Sequence, residues 1–278
     1  MSHSEQEDNL MKFSKVQPGV LLLGICFSLL CGQVGLAETP EEKGLAIVME
    51  AERRDQGFGD LVADMVMILR NRNGQESRRE MSNNVLEVKD DGDKSLAVFH
   101  TPRDVRGTAL LTFSHTTGDD EQWLYLPALK RVKRINSRNK SGSFVGSEFS
   151  YEDISSQEVE EYTYKYLRDE DLDGHACTVS EYYPVDAENS GYSREVVWRD
   201  KDEYRIQKVE FYDRKDSLLK TLTMKDYKQY EGKYWRAGEM YMMNHQSGKS
   251  TVLLYSTYRF RTGLTENDFN KNSLKRAR

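Results

Sequence analysis

The sequence predicts a mainly β protein of the α+β class: a large, strongly curved antiparallel sheet or barrel preceded by one helix. Three observations predict it. From Asp60 onward apolar residues recur with a period of two, as in Leu61, Ala63, Met65, Met67 and Leu69. Turn signals separate the alternating segments, among them Asn73-Gly74, Asp91-Gly92, Thr117-Gly118-Asp119, Asp173-Gly174, Asp200-Lys201-Asp202 and Ser247-Gly248-Lys249. Ahead of them stands one stretch with helical spacing. Many antiparallel strands joined by short turns have to curl into one large sheet or close into a barrel.

The helix begins at Thr39-Pro40-Glu41-Glu42. Thr39 can cap it, Pro40 sits where its missing N–H costs nothing, and Glu42 completes a capping box. Leu45, Val48, Met49 and Glu52 come next at helical spacing, and Gly57 suits the stop. Such an amphipathic helix needs a surface to cover.

Alternating segments recur near 76–89, 94–100, 106–115, 121–126 and 129–135. A second series runs near 158–168, 175–183, 194–200, 204–213, 219–230, 233–245 and 250–261. Residues 136–157 break the rhythm. Ser137 to Ser147 is small and polar, while Phe144, Phe149 and Tyr151 supply apolar anchors. A long loop inside a compact β-domain is either functional or disordered. The anchors favour a lid over 136–157, against a merely solvated loop. Near the C-terminus, Thr265-Glu266-Asn267-Asp268-Phe269 reads as a capped turn that tucks in Phe269, and the basic tail Lys271 to Arg278 is expected to fray.

Residues 1–37 read as a removable secretion signal. Lys12 and Lys15 give the positive start, and Val20 to Leu30 is an apolar run too short to span a bilayer comfortably. Gly35-Leu36-Ala37 places small residues where a signal peptidase inspects, so cleavage is expected between Ala37 and Glu38. Residues 1–10 are acidic and polar, wrong for such a start, which makes Met11 the expected first residue. Cys31 raises lipid attachment as an alternative, but the preceding Leu30 is not small. The expectation is an exported, periplasmic chain with one domain over 38–278. Cys26 and Cys31 leave with the signal, and Cys177 alone can form no internal disulfide. A net charge of −6 argues against general nucleic-acid binding.

Enzyme signatures are missing. His100, His115, His175 and His245 lack metal-ligand spacing, and there is no Gly-x-Ser-x-Gly elbow, P-loop or dinucleotide-binding glycine pattern. Cys177 stands two residues after His175, which on a strand only puts both on one face, so a buried structural cysteine is the expectation. Neither an enzyme nor a bound cofactor is expected.

Three blocks carry a family resemblance: residues 101–111 (TPRDVRGTALL), 119–135 (DDEQWLYLPALKRVKRI) and 143–153 (SFVGSEFSYED). Together they resemble the outer-membrane lipoprotein-sorting protein family of the LolA-like superfamily, over residues 42 to the C-terminus. The resemblance implies an unclosed antiparallel half-barrel wrapped around one or more helices, with an apolar cavity. It also implies a periplasmic carrier of lipid or acylated lipoprotein, working beside an RND-type exporter; the expected state is a monomer. The alternative from a different class is a protein–protein adaptor of such an exporter with no lipid of its own; an unrecognised hydrolase is a third.

Cavity or lid candidates are Met65, Met67, Trp123, Tyr125, Phe144, Phe149 and Tyr151. Flexible thioethers suit a pocket for acyl chains of varied shape, although ordinary core packing explains most methionines as well. Lys130, Arg131, Lys133 and Arg134 form a basic cluster that a core can hide little of, because both faces of a strand would carry it. It reads as a dock for an anionic head group or acidic partner, or as a charged edge strand protected from aggregation. Asp119, Asp120 and Glu121 just upstream could simply neutralise it.

Overall fold

The computed structural model describes residues 37–276, so all but Ala37 of the signal sequence read over residues 1–37 lies outside the described residues. The chain divides into two units, Met1–Ala37 and Glu38–Arg278, and every described helix and strand belongs to the second.

Helix α1 (Pro40–Asp55) starts as its sequence dictates: Glu42 N donates to Thr39 Oγ1 at 3.1 Å, and Thr39 N donates to Glu42 Oε2 at 2.8 Å. Gln56 caps the other end, and Gly57 turns the chain away with φ +92°. The buried face differs from the expected stripe. Gly44 and Val48 face the protein, while Leu45 and Met49 are exposed. The cause is close approach: a Cβ on Gly44 would lie 2.9 Å from the backbone nitrogens of both Lys165 and Tyr166. The glycine lets the helix backbone come this close to that strand, with Lys43 Nζ over the Tyr166 ring, and this rotates Leu45 and Met49 outward. Gly44→Val is expected to cost about 1–3 kcal/mol by overpacking against backbone that cannot yield. A urea midpoint equal to the wild type would rule the contact out.

Six strands then run as a meander: β1 (Asp60–Arg70), β2 (Glu76–Leu86), β3 (Lys94–Thr101), β4 (Ala109–Phe113), β5 (Glu121–Leu126) and β6 (Arg131–Ile135). A second run comprises β7 (Tyr162–Leu172), β8 (His175–Pro184), β9 (Tyr192–Asp200), β10 (Ile206–Asp213) and β11 (Leu218–Lys225). The chain finishes with β12 (Lys228–Tyr230), β13 (Tyr234–Arg236), β14 (Glu239–Asn244), β15 (Ser250–Phe260) and helix α2 (Lys271–Arg276). Thirteen strands form one antiparallel sheet in the order β6-β5-β4-β3-β2-β1-β15-β14-β11-β10-β9-β8-β7. β12 and β13 leave it as a separate hairpin, where 219–230 and 233–245 read as two unbroken strands. Asp226 at φ 55° and the tight apposition of Gly238 to the Asp226 carbonyl pinch the hairpin off.

This order makes β6 and β7 the two edges of the unclosed sheet, although they are consecutive in sequence. The chain must therefore cross from one edge to the other, and residues 136–161 do so. The segment read as a lid packs into the sheet's interior. Phe144 is fully buried against Phe99 with ring centroids 5.6 Å apart, and Tyr151 meets it edge-on at 6.0 Å. Polar stitches hold its backbone: Arg79 Nη1 donates to the Val145 carbonyl at 2.6 Å, and Glu148 N donates to Thr251 Oγ1 at 3.0 Å. Val48 of α1 joins the same interior cluster as Met65, Met67, Phe144, Phe149 and Tyr151.

The other face carries two apolar clusters. Leu96, Val98, Leu111 and Trp123 pack under Phe269 and Leu274. The tail expected to fray thus forms α2, because Leu274 finds a fully buried site there. Cys177 is buried with Val179, Val196 and Trp198. No helix among the described residues is long and apolar enough to cross a membrane.

Candidate functional site

A cavity of about 700 Å³ lies between β9–β11, the tail of the crossing segment and the loops 116–120 and 184–190. Its floor is apolar and comes from inward positions of β10 and β11: Ile206, Val209, Phe211, Leu222 and Met224. That size and apolar lining suit a small amphiphilic ligand. Its rim is acidic.

Each rim carboxyl reaches the cavity for a local reason. Glu195 precedes the buried Val197 by two residues on β9, so alternation turns both inward. Tyr162 Oη donates to its Oε1 at 3.1 Å and Gln157 Nε2 to its Oε2 at 3.4 Å. Burial, reinforced by the charge of Asp153, pushes the Glu195 carboxyl up to about 8. Glu152 accepts from Gly191 N and Ser190 Oγ, both at 3.0 Å, and burial with Asp153 raises it to about 7. Burial and the charge of Asp120 likewise raise Glu161 to about 7, and burial raises Asp120 itself. Glu158, which is not part of the lining, is brought to about 7 by burial together with the Glu52 and Asp120 charges.

Beneath the rim sits a buried ion pair. Lys220 Nζ lies 2.5 Å from Asp153 Oδ2, and both side chains are more than nine-tenths buried. Lys220 also donates to the Glu148 carbonyl at 3.1 Å, while Tyr192 Oη donates to Asp153 Oδ1 at 2.7 Å. This pair ties β11 to the crossing segment. Gln122 is 3 % exposed and also lines the cavity. Its Nε2 donates to the Tyr151 carbonyl at 3.0 Å, an obligate acceptor that fixes the amide's orientation. Its Oε1 accepts no hydrogen bond among the described residues.

The structure does not gather the residues singled out from sequence into one place. Met65, Met67, Phe144, Phe149 and Tyr151 pack together in the interior core, and none of them lines this cavity. Trp123 and Tyr125 lie on the opposite face, under the C-terminal helix, because Gln122 and Leu124 take the inward positions of β5. Lys130, Arg131, Lys133 and Arg134 stand exposed on and beside edge strand β6. Arg134 pairs with Glu121 at 3.2 Å; Lys130, Arg131 and Lys133 form no ion pair among the described residues. Sequence reading missed Gln122, Glu161 and Glu195. For Gln122 and Glu195 the missed signal was a polar residue at an inward position of an otherwise apolar strand face. Among the described residues no group of His, Cys, Asp and Glu could hold a metal ion.

Comparison with known proteins points the same way. A family model described as an uncharacterized protein family matches residues 91–276. No curated protein matches the chain. The chain is similar to a domain from Vibrio parahaemolyticus described as an outer membrane lipoprotein-sorting protein: 60% identity, TM-score 0.83, covering 84% of this chain and 99% of that one. A DUF1329 family protein from Desulfovibrio piger is 31% identical with TM-score 0.80, covering 85% of this chain and 99% of that one. A LolA superfamily protein from Nitrosomonas europaea shares the fold at 21% identity and TM-score 0.66, covering 83% of this chain and 98% of that one. The chain thus shares the fold of the LolA superfamily protein, and the identities show that it belongs to the outer-membrane lipoprotein-sorting protein family, with the DUF1329 protein as a fellow member.

Proposed function

We propose that the protein is a periplasmic, non-catalytic carrier that binds a lipid or a lipid-modified protein for sorting toward the outer membrane. The observation that carries this is the cavity of about 700 Å³ with its floor of Ile206, Val209, Phe211, Leu222 and Met224. Membership of a family that includes a protein described as sorting outer membrane lipoproteins supports it. Export as a domain over 38–278, released by cleavage between Ala37 and Glu38, is part of the same proposal, and the short apolar run followed by Gly35-Leu36-Ala37 supports it.

Native mass spectrometry of the purified protein is expected to show a bound amphiphile. Met224→Trp, which fills the floor, should remove most of it while leaving the melting temperature near the wild type. A protein that emerges ligand-free, and stays so after incubation with total envelope lipid, is no lipid carrier.

A specific feature favours a second reading, in which edge strand β6 docks a partner such as an RND-type exporter. Lys130, Arg131 and Lys133 lack ion-pair partners there among the described residues, and neighbouring Leu129 is 65% exposed. Replacing Arg131 and Lys133 by Ala should then weaken partner capture and its salt dependence. Unchanged, salt-insensitive capture would leave the cluster as a solvated edge.

A further inference from the structure

The carrier reading leaves the ligand's head group open, and the cavity lining narrows it. Six lining carboxyls, Asp119, Asp120, Glu152, Glu160, Glu161 and Glu195, have no cation within ion-pair distance among the described residues. The lining lysine, Lys140, pairs with Asp186 at 3.0 Å and reaches Asp120, Glu152 and Glu161 only from beyond ion-pair distance, and Asp153 is already held by Lys220. An anionic head group would find no unpaired cation among the described lining residues, whereas a cationic one would pair with these carboxyls in a desolvated site where Coulomb attraction is poorly screened. The independent observation is Gln122: a nine-tenths-buried side chain on the cavity wall whose Oε1 accepts nothing from the described residues. It calls for a hydrogen-bond donor, and an ammonium offers three and accepts none.

We propose that the cavity takes an amphiphile with a cationic, amine-bearing head, its alkyl chain on the β10–β11 floor and its ammonium among the carboxyls of Glu161 and Glu195 beside Gln122. This rests on the carrier reading and specifies its ligand. Burial and the neighbouring Asp120, Glu152 and Asp153 keep protons on Glu161 and Glu195 near neutrality. The ammonium replaces those protons, so binding releases them to solution.

The test is isothermal titration of the purified protein at pH 7.5 with dodecylamine, dodecanol and dodecanoate, three probes of one chain length, in two buffers of different ionisation enthalpy. The amine is expected to bind at least about tenfold tighter than the carboxylate, with proton release. The double variant E161Q/E195Q, isosteric at both positions, should shrink that preference to about threefold or less. Dodecanoate or dodecanol binding as tightly as the amine overturns the head-group assignment and leaves the carrier reading standing. An amine preference that survives E161Q/E195Q overturns the placement of the head. Failure of all three probes, with no lipid retained on purification, overturns the carrier reading itself. Should the double variant not fold, the wild-type series still decides between amine and carboxylate.

Discussion

Lys220→Met is expected to destabilise the protein by about 3–5 kcal/mol, the range for removing one member of a buried ion pair. The substitution keeps the side chain's length and apolar stem but leaves Asp153 charged in a site where it is more than nine-tenths buried. Tyr192 and the Ser150 N–H, each 2.7 Å away, still donate to Asp153, so the carboxylate is not wholly orphaned. The Glu148 carbonyl, however, loses its 3.1 Å donor. Both losses fall on the crossing segment, so Phe144, Phe149 and Tyr151 lose their tether to β11 as well. Urea denaturation reads the effect directly, provided the slope is unchanged. The pair K220M/D153N should recover at least about half of the loss, since most of the single variant's cost is an uncompensated charge. A single variant within about 1 kcal/mol of the wild type would show that the pair contributes little beyond its own desolvation.

The part of the fold written in local chemistry could be read from the sequence. Thr39 and Glu42 specify the helix start by themselves, and two-residue alternation locates the strands. What alternation cannot carry is strand order. That β6 and β7 become opposite edges is a long-range outcome of β1 pairing with β15, Leu61 facing Phe260 nearly two hundred residues along the chain. Without that pairing, residues 136–157 look like an exposed lid, although the same Phe144, Phe149 and Tyr151 that hint at a lid are what bury it. The α1 face misled for a related reason. Leu45 and Met49 are the larger apolar residues, yet the close approach to β7 leaves room only for Gly44. The acidic cavity was the least legible, because Asp120, Glu152, Glu161 and Glu195 come from separate turns and strands whose meeting depends on the completed topology.

Stability is expected to fall as pH rises from about 6 to 8.5, by about 3 kcal/mol or more, in contrast to a protein whose carboxylates are mostly ion-paired. Glu195 is raised to about 8, and Asp93, Glu152, Glu158 and Glu161 to about 7, by burial first and by neighbouring carboxylates second. Their folded values exceed the unfolded ones, so between these limits the native state binds more protons than the unfolded chain. The stabilisation is complete below the unfolded range and disappears as pH climbs through 7 to 8. Each extra proton held contributes a slope of about 1.4 kcal/mol per pH unit, and Glu195 with Glu152 alone supplies a loss of that size. Toward acid the sign reverses. Burial raises Asp60 and Asp200, but hydrogen bonds from Thr262 and Arg205 outweigh it and hold both below the usual range, so their contribution is lost as pH falls through those depressed values. The optimum therefore lies on the acid side of neutrality. Glu195→Gln isolates the largest contributor. Glutamine keeps an acceptor for Tyr162, and it removes the charge that faces Asp153 and Glu152. The variant should match the wild type near pH 4 and exceed it at pH 8.5, so their two melting curves against pH diverge as pH rises from about 4.5 toward 8. Parallel curves would mean that Glu195 is ionised in the folded protein at neutral pH, and that the cavity already carries its charge before any ligand arrives.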